Sequence, residues 1–360
     1  MDNTWYLFRE KQMNNKNGFV FFMDGSSYRD LHECMFKDLL TMPDVREVID
    51  RRISNPFKSF LLHDKVCKLT NGKLDRFVCD KNEMFRALKD MCERYDKVYV
   101  ICTNSAFFYN RYLPGTLMEY KRKWNNLSFV LVYIDIMSAG VSKNAMLLMK
   151  KGVFDRVYTI DPEDARKTGA TLIWTPYSSF ASSQSPDEPE EYDLYFCGSL
   201  IDRGDKMEEI RKACEKHGVR LAMDIVISSS DCSQMEPEEG DTHFYTDNEH
   251  IPYQTVLDRT RKARCILDLT RNGQHALTIR PYEAVVLGKR LLTDNQEIRH
   301  FPYYDPEAMF LFDTMKESDW DKIKMPGRIN YHYQGDFSPL GIIDDLLANG
   351  NATILRHDVK

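Results

Sequence analysis

Residues 265–295 read CILDLTRNGQHALTIRPYEAVVLGKRLLTDN. The apolar run at 265–269 has the length and composition of a strand. A polar loop carrying Gly273 follows it. Pro281 then opens a helix, as proline does at a first turn, and Gly288 closes it. A second apolar run, residues 290–293, comes directly after. Strand, loop, helix and strand in this order form a βαβ unit of a parallel sheet. In such sheets ligands sit beyond the carboxyl ends of the strands. Free amides at the helix start, with the positive end of its dipole, favour a phosphate there. Arg280 stands beside that start and can grip a diphosphate with two prongs. Glu283 lies one turn in, where a carboxylate can accept from a ribose diol. The same two residues can instead pair on one helix face. Gln274, His275 and Thr278 are polar groups around an apolar junction, suited to a donor or to capping the loop.

The alternation extends in both directions. Toward the N-terminus, residues 18–23 (GFVFFM), 97–103 (KVYVICT), 127–135 (LSFVLVYID), 156–161 (RVYTID) and 171–174 (TLIW) read as strands. Charged stretches of helical period, such as 82–94, separate them. Residues 182–193 (SSQSPDEPEEYD) are polar, acidic and without hydrophobic period, and read as a linker. The alternation then restarts with strands at 194–198 and 219–227 and helices at 206–217 and 253–263. The stretch 231–250 holds seven carboxylates and no Lys or Arg, and reads as an exposed loop. An amphipathic helix at 338–348 closes the pattern and can cross back to the first half. The expected organisation is a first Rossmann-like α/β domain over 1–181, a linker over 182–193, a second over 194–345 and a tail over 346–360.

A chain of 360 residues has room for two cores. It has no apolar run of about 18 residues or more, as a membrane-spanning helix requires, and its first residues do not form a secretory signal. Nine cysteines without metal-type pairing point to free thiols in a reducing cytoplasm. A net charge of −6 argues against general nucleic-acid binding. The basic aromatic stretch 109–124 (YNRYLPGTLMEYKRKW) suits either a solvated helix face or peripheral contact with an anionic membrane surface at the inner face. Asp319-Trp320-Asp321 has the form of a metal-binding D-x-D, but it lies in a charged helical stretch rather than at a strand end, so no metal site is expected.

Strand, glycine loop, R-x-x-E and A-x-x-x-G-K-x-L over 265–292 resemble the donor-binding motif of GT-B glycosyltransferases, closest to the bacterial lipopolysaccharide and capsule branch. In many retaining members two glutamates flank seven residues. Glu283 matches the second, which the resemblance places on the nucleotide ribose; His275 takes the place of the first, and Ala276 that of a glycine. Residues 192–210 (YDLYFCGSLIDRGDKMEEI) resemble the opening strand and turn of that family's C-terminal domain, which implies donor-phosphate contacts for Gly198, Ser199 and Arg203. Residues 154–177 are similar to the segment that closes its N-terminal domain. The resemblance implies a GT-B fold, two Rossmann-like domains facing across a cleft. It also implies transfer of a sugar from a nucleotide-sugar donor to a polysaccharide or lipid-linked acceptor, with no cofactor. The architecture leaves open a sugar-nucleotide epimerase, a polysaccharide pyruvyl transferase or a non-catalytic nucleotide-sugar-binding subunit.

The chemistry adds further candidates. Negative charge grows on the departing diphosphate, and Arg203, Lys206, Arg280 and helix amides can stabilise it without a metal. An acceptor hydroxyl needs a base. Asp24 and Asp135 stand at strand ends, where a turn or cap role is the alternative. His63, in an apolar run, is a third candidate, with simple packing as its alternative.

Overall fold

A computed structural model of the chain describes residues 16–24, 29–50, 83–107, 114–135, 137, 143–179, 189–227, 240–246, 249–271 and 276–348. It divides into two compact units, Met1–Pro176 with Pro339–Lys360, and Tyr177–Ser338.

The first unit holds a parallel six-stranded sheet in the order β2-β1-β3-β4-β5-β6. Its strands are β1 (Asn17–Asp24), β2 (Val45–Asp50), β3 (Lys97–Thr103), β4 (Leu127–Tyr133), β5 (Arg156–Thr159) and β6 (Thr171–Leu172). β4 is buried along its whole length, which is why LSFVLVY carries almost no polar residue: a central parallel strand is covered on both faces. The helix Glu83–Arg94 supplies Met84, Leu88 and Met91 to one core with Val98 and Val100 of β3.

The second unit repeats the plan in the order β12-β11-β10-β7-β8-β9. Its strands are β7 (Tyr192–Ser199), β8 (Leu221–Ile227), β9 (Thr242–Thr246), β10 (Ala263–Asp268), β11 (Arg290–Thr293) and β12 (Met309–Leu311). Every pairing in both sheets is parallel. The helix Gly204–His217 follows β7 and ends at Gly218, in the left-handed conformation that glycine adopts at helix ends.

Several expectations change. The linker expected over 182–193 ends earlier, because Tyr192 and Asp193 already belong to β7. Asp193 is buried and accepts from Arg264 at 2.5 Å, and Glu190 pairs with the same guanidinium at 3.1 Å. Residues 182–188 lie outside the described residues. The stretch expected as one loop over 231–250 contains β9, whose partner is β8. The helix Leu340–Leu347 groups with the first unit, in line with the expected return of the last helix, and only the expected boundary at 345, which cut through it, moves. There the Tyr158 hydroxyl donates to Asp345 at 2.8 Å, both groups being buried. The Asp319 to Asp321 stretch forms the helix Glu317–Ile323: Asp319 caps its start at Lys316 N, and Trp320 is buried against His217. No helix among the described residues is long and apolar enough to cross a membrane.

One buried titratable group makes the first unit sensitive to acid. His32 lies buried on the helix Arg29–Met35. Burial lowers its pKa from 6.5 to about 4, with Asp30 pulling the other way. The native state therefore resists a proton that the unfolded chain takes up near pH 6.5. The associated stability is present above pH 6.5 and is lost as pH falls toward 4, amounting to roughly 3 kcal/mol by linkage. Urea denaturation at pH 7 and pH 4 should show a smaller acid loss for His32→Gln than for the parent. Equal losses would show that His32 is not the group responsible.

Candidate functional site

The strand order locates the site. From β7 the chain proceeds to β8 and β9 on one side, then returns to place β10 on the other side of β7. The direction of winding thus reverses between β7 and β10, and the crevice beyond their carboxyl ends is where open α/β sheets bind ligands. A cavity of about 170 Å³ lies there, lined by Phe196 and Cys197 of β7, Leu267 to Leu269 at the end of β10, Thr278 to Arg280, and Arg203.

Arg280 opens the helix Arg280–Leu287. Its guanidinium donates to Glu283 at 2.5 Å and to the Cys197 carbonyl at 3.0 Å. Two of its five N–H groups are engaged in this way. Burial works against the charge, but the Glu283 carboxylate at its side holds the Arg280 pKa well above its ordinary value. Glu283 is 0% exposed. One of its oxygens takes Arg280 and the other takes the Tyr253 hydroxyl. Each oxygen thus carries one hydrogen bond, and Glu283 lies buried behind Arg280 rather than among the residues lining the cavity, where the ribose contact implied by the resemblance would need it. The pairing read from sequence as the alternative is the one that forms, and Arg280 still lines the cavity.

The helix start differs from expectation in a second way. Arg280 N donates to the Thr278 hydroxyl at 3.1 Å, and Tyr282 N and Glu283 N both donate to the Ile279 carbonyl at 3.1 Å. Pro281 has no N–H. The leading amides are satisfied internally, so positive charge in the cavity comes from the arginine side chains.

Arg203 ends the turn after β7. Its guanidinium donates to the Ser199 carbonyl at 3.0 Å, while its buried Nε has no hydrogen-bond partner among the described residues. Burial lowers its pKa, with Arg271 and Arg280 adding repulsion and Asp268 and Asp294 opposing. Gly198 makes room for it: a Cβ there would stand 3.2 Å from the Phe196 ring and 3.4 Å from the Arg203 guanidinium. Ser199 contributes its carbonyl to Arg203 and its hydroxyl to Ile201 N. Asp202, between them, adopts φ 61°, a left-handed turn conformation that aspartate tolerates.

Lys206 does not line the cavity. It is held by Asp313 at 3.0 Å and Glu209 at 3.1 Å. Thr278 is brought in, but as a brace: its hydroxyl donates to Asp268 at 2.7 Å. Gln274, His275 and His63 lie outside the described residues. Asp135 is exposed just beyond β4, and Asp24 is the last residue of β1, its side chain outside the description.

Asp268 was not singled out from sequence. It is buried at the end of β10 and accepts from both Thr278 and Thr293, the latter at 3.0 Å. Burial pushes its carboxyl up, and the two hydroxyls pull it back. It ties the loop before the helix to β10 and β11. An aspartate closing an apolar strand in residues 265–268 is the signal that marks it. Among the described residues no cluster of His, Cys, Asp and Glu has the form of a metal site.

No protein-family model and no curated protein sequence matches the chain. Solved structures do. An alpha-glucosyltransferase in complex with UDP is similar at a TM-score of 0.53 and 12% identity, over 93% of this chain and 94% of that one. An alpha-glucosyltransferase in complex with UDP-glucose and DNA containing an abasic site gives 0.51 and 12%, over 94% of each chain. A third, with UDP and a 13-mer DNA containing a central A:G mismatch, gives 0.52 and 12%, over 86% and 90%. The DNA in two of these structures removes the ground for excluding a nucleic-acid partner on net charge alone. At this identity the likeness is one of fold, and together with the two parallel sheets it establishes the GT-B fold: two Rossmann-like α/β domains.

Proposed function

We propose that the chain is a glycosyltransferase that takes a sugar from a nucleoside-diphosphate donor, with the diphosphate lodged in the cavity between Arg203 and Arg280. The observation that carries this reading is the incompletely partnered, part-buried Arg203 at the switch point of the second sheet. A buried cation without full compensation is costly to the free protein, and a diphosphate supplies both the charge and the acceptor oxygens it lacks. As the sugar–oxygen bond breaks, charge accumulates on that diphosphate, and fixed guanidinium groups stabilise it more than they stabilise the bound donor.

The test is calorimetric titration with UDP, dTDP, GDP and ADP. The tightest of the four should bind about tenfold to a hundredfold more weakly to Arg203→Ala, the range for one charge-assisted hydrogen bond. Binding within about twofold of the parent would remove Arg203 from the donor site.

Because arginines supply the counter-charge, turnover is expected to proceed without a divalent ion. Release of UDP from UDP-glucose, with water as acceptor, should persist in EDTA. Complete loss that Mg²⁺ or Mn²⁺ restores would overturn this.

For the acceptor we propose a polysaccharide or lipid-linked glycan of cell-surface synthesis, including lipopolysaccharide or capsule, met by the protein in the cytoplasm or at the inner membrane face. The DNA present with the similar glucosyltransferase gives a second reading, a nucleic-acid acceptor. Salt-dependent retention of the chain on duplex DNA, with sugar transfer to it, would favour that reading over the glycan.

A further inference from the structure

Behind the cavity, three buried groups from distant parts of the second unit form a single hydrogen-bonded line. The Tyr253 hydroxyl, from the first residue of the helix Tyr253–Lys262, donates to Glu283. A phenol has one proton, so the contact of 3.0 Å between the Tyr177 and Tyr253 oxygens is a bond that Tyr177 donates. Glu283 in turn holds Arg280, whose other arm is fixed on the Cys197 carbonyl of β7. Tyr177 and Glu283 are both 0% exposed and Tyr253 is 7% exposed. Tyr177 is itself fixed, its backbone N–H donating to the Phe337 carbonyl at 2.8 Å.

The line ends on the cation that lines the cavity, and Tyr177, Tyr253 and Glu283 are not among the lining residues. We infer that Tyr253 and Tyr177 are positioning residues of the donor site: their hydroxyls fix the Glu283 carboxylate, which aims Arg280 at the diphosphate. A guanidinium on a flexible stem loses rotamer freedom when it grips a ligand. One already clamped on its far side by a carboxylate, itself clamped by a phenol, has lost that freedom before the ligand arrives, and preorganisation of this kind appears as affinity. Glu283 also needs its second donor. A buried carboxylate oxygen left without one carries a desolvation penalty, relieved by rotation of the carboxylate away from its present contact with Arg280. Residues 177, 253 and 283 thus act on one N–H fork.

The inference rests on the proposed diphosphate site, and one experiment separates the two. The parent, Tyr253→Phe and Tyr177→Phe are titrated with whichever of UDP, dTDP, GDP and ADP the parent binds most tightly, and with its bare nucleoside. Melting temperatures are measured on the same samples. Tyr253→Phe should weaken the diphosphate about fivefold and leave the nucleoside within about twofold. Tyr177→Phe, one bond further away, should weaken the diphosphate about threefold, both estimates lying below the full worth of a charge-assisted bond. A purely structural hydroxyl would lower the melting temperature and move the two affinities together, or neither. If the parent binds the nucleoside diphosphate no more tightly than the nucleoside, the diphosphate site itself is wrong. If the parent discriminates and both variants keep its discrimination, the site stands and the positioning role is wrong. Should Tyr253→Phe fail to fold, Tyr177→Phe decides alone by the same comparison.

Discussion

Replacing Arg280 by alanine is expected to destabilise the second unit by about 3–5 kcal/mol, the cost of removing one partner of a buried ion pair, and to weaken nucleoside-diphosphate binding by about tenfold or more. Both effects follow from one geometry. Glu283 is fully buried and Arg280 is the only cation within ion-pair distance of it among the described residues. Without the guanidinium its charge stays in a low-dielectric surrounding with a single phenol for company. The cavity loses one of its two lining arginines at the same time. Glu283→Gln separates the two accounts of this pair. It keeps the shape and removes the charge, which leaves Arg280 uncompensated, so a stability loss of a few kcal/mol is expected from the buried pair. A glutamate that served only to bind a ribose would give a different pattern: unchanged urea denaturation, and weaker binding of the bare nucleoside. Denaturation of both variants, with nucleoside titration of Glu283→Gln, decides between the two.

The parts of the fold legible in the sequence are those buried on both faces. β3, β4 and β11 lie inside their sheets, and KVYVICT, LSFVLVY and RLLT are near-continuous apolar runs, with boundaries that could be placed within two residues. The strands that the sequence hid are β2, β9 and β12, and each is the edge of a sheet. An edge strand has one partner, can be very short and tolerates charge. VREVID carries three charged residues, THFYT sits in an acidic stretch, and MFL has three residues. In the site the division is one of contact range. The pairing of Arg280 with Glu283 is local, three residues apart on a helix, and was open to reading. Asp268 with Thr293, Tyr253 with Glu283 and Tyr177 with Tyr253 join residues 25, 30 and 76 positions apart. No periodicity encodes such contacts; they exist only because the crossovers bring those strand ends and helix starts together. The helix amides, free on paper, are satisfied close by, through the Thr278 hydroxyl and the Ile279 carbonyl.

The second large effect is expected from Asp24→Asn, which should lower release of UDP from UDP-glucose by about a hundredfold or more, the contribution of a positioned general base. Topology motivates this choice among the three candidate bases. The first sheet also reverses its direction of winding, between β1 and β3: the chain leaves β1 for β2 on one side and resumes at β3 on the other. The carboxyl ends of those two strands are the ligand crevice of such a sheet, and Asp24 is the last residue of β1. Beside it, β3 ends in the buried Thr103, followed by Asn104, whose side chain accepts from Ile134 N at 2.9 Å and fixes the segment leaving β4. Asp135 follows that segment and is exposed, with β3 standing between its strand and β1. In glycosyl transfer a general base takes the proton of the acceptor hydroxyl while the hydroxyl oxygen bonds to the anomeric carbon. The bond from that carbon to the diphosphate oxygen breaks, and its electron pair leaves with the diphosphate. Asparagine keeps the size and polarity of the group but cannot take the proton. Binding of the nucleoside diphosphate should therefore remain within about twofold of the parent, a gap of only ~0.4 kcal/mol, while turnover collapses. A variant that releases UDP at more than a third of the parent rate would remove Asp24 from the role, and a hundredfold loss in Asp135→Asn under the same conditions would transfer the role to the strand end after β4.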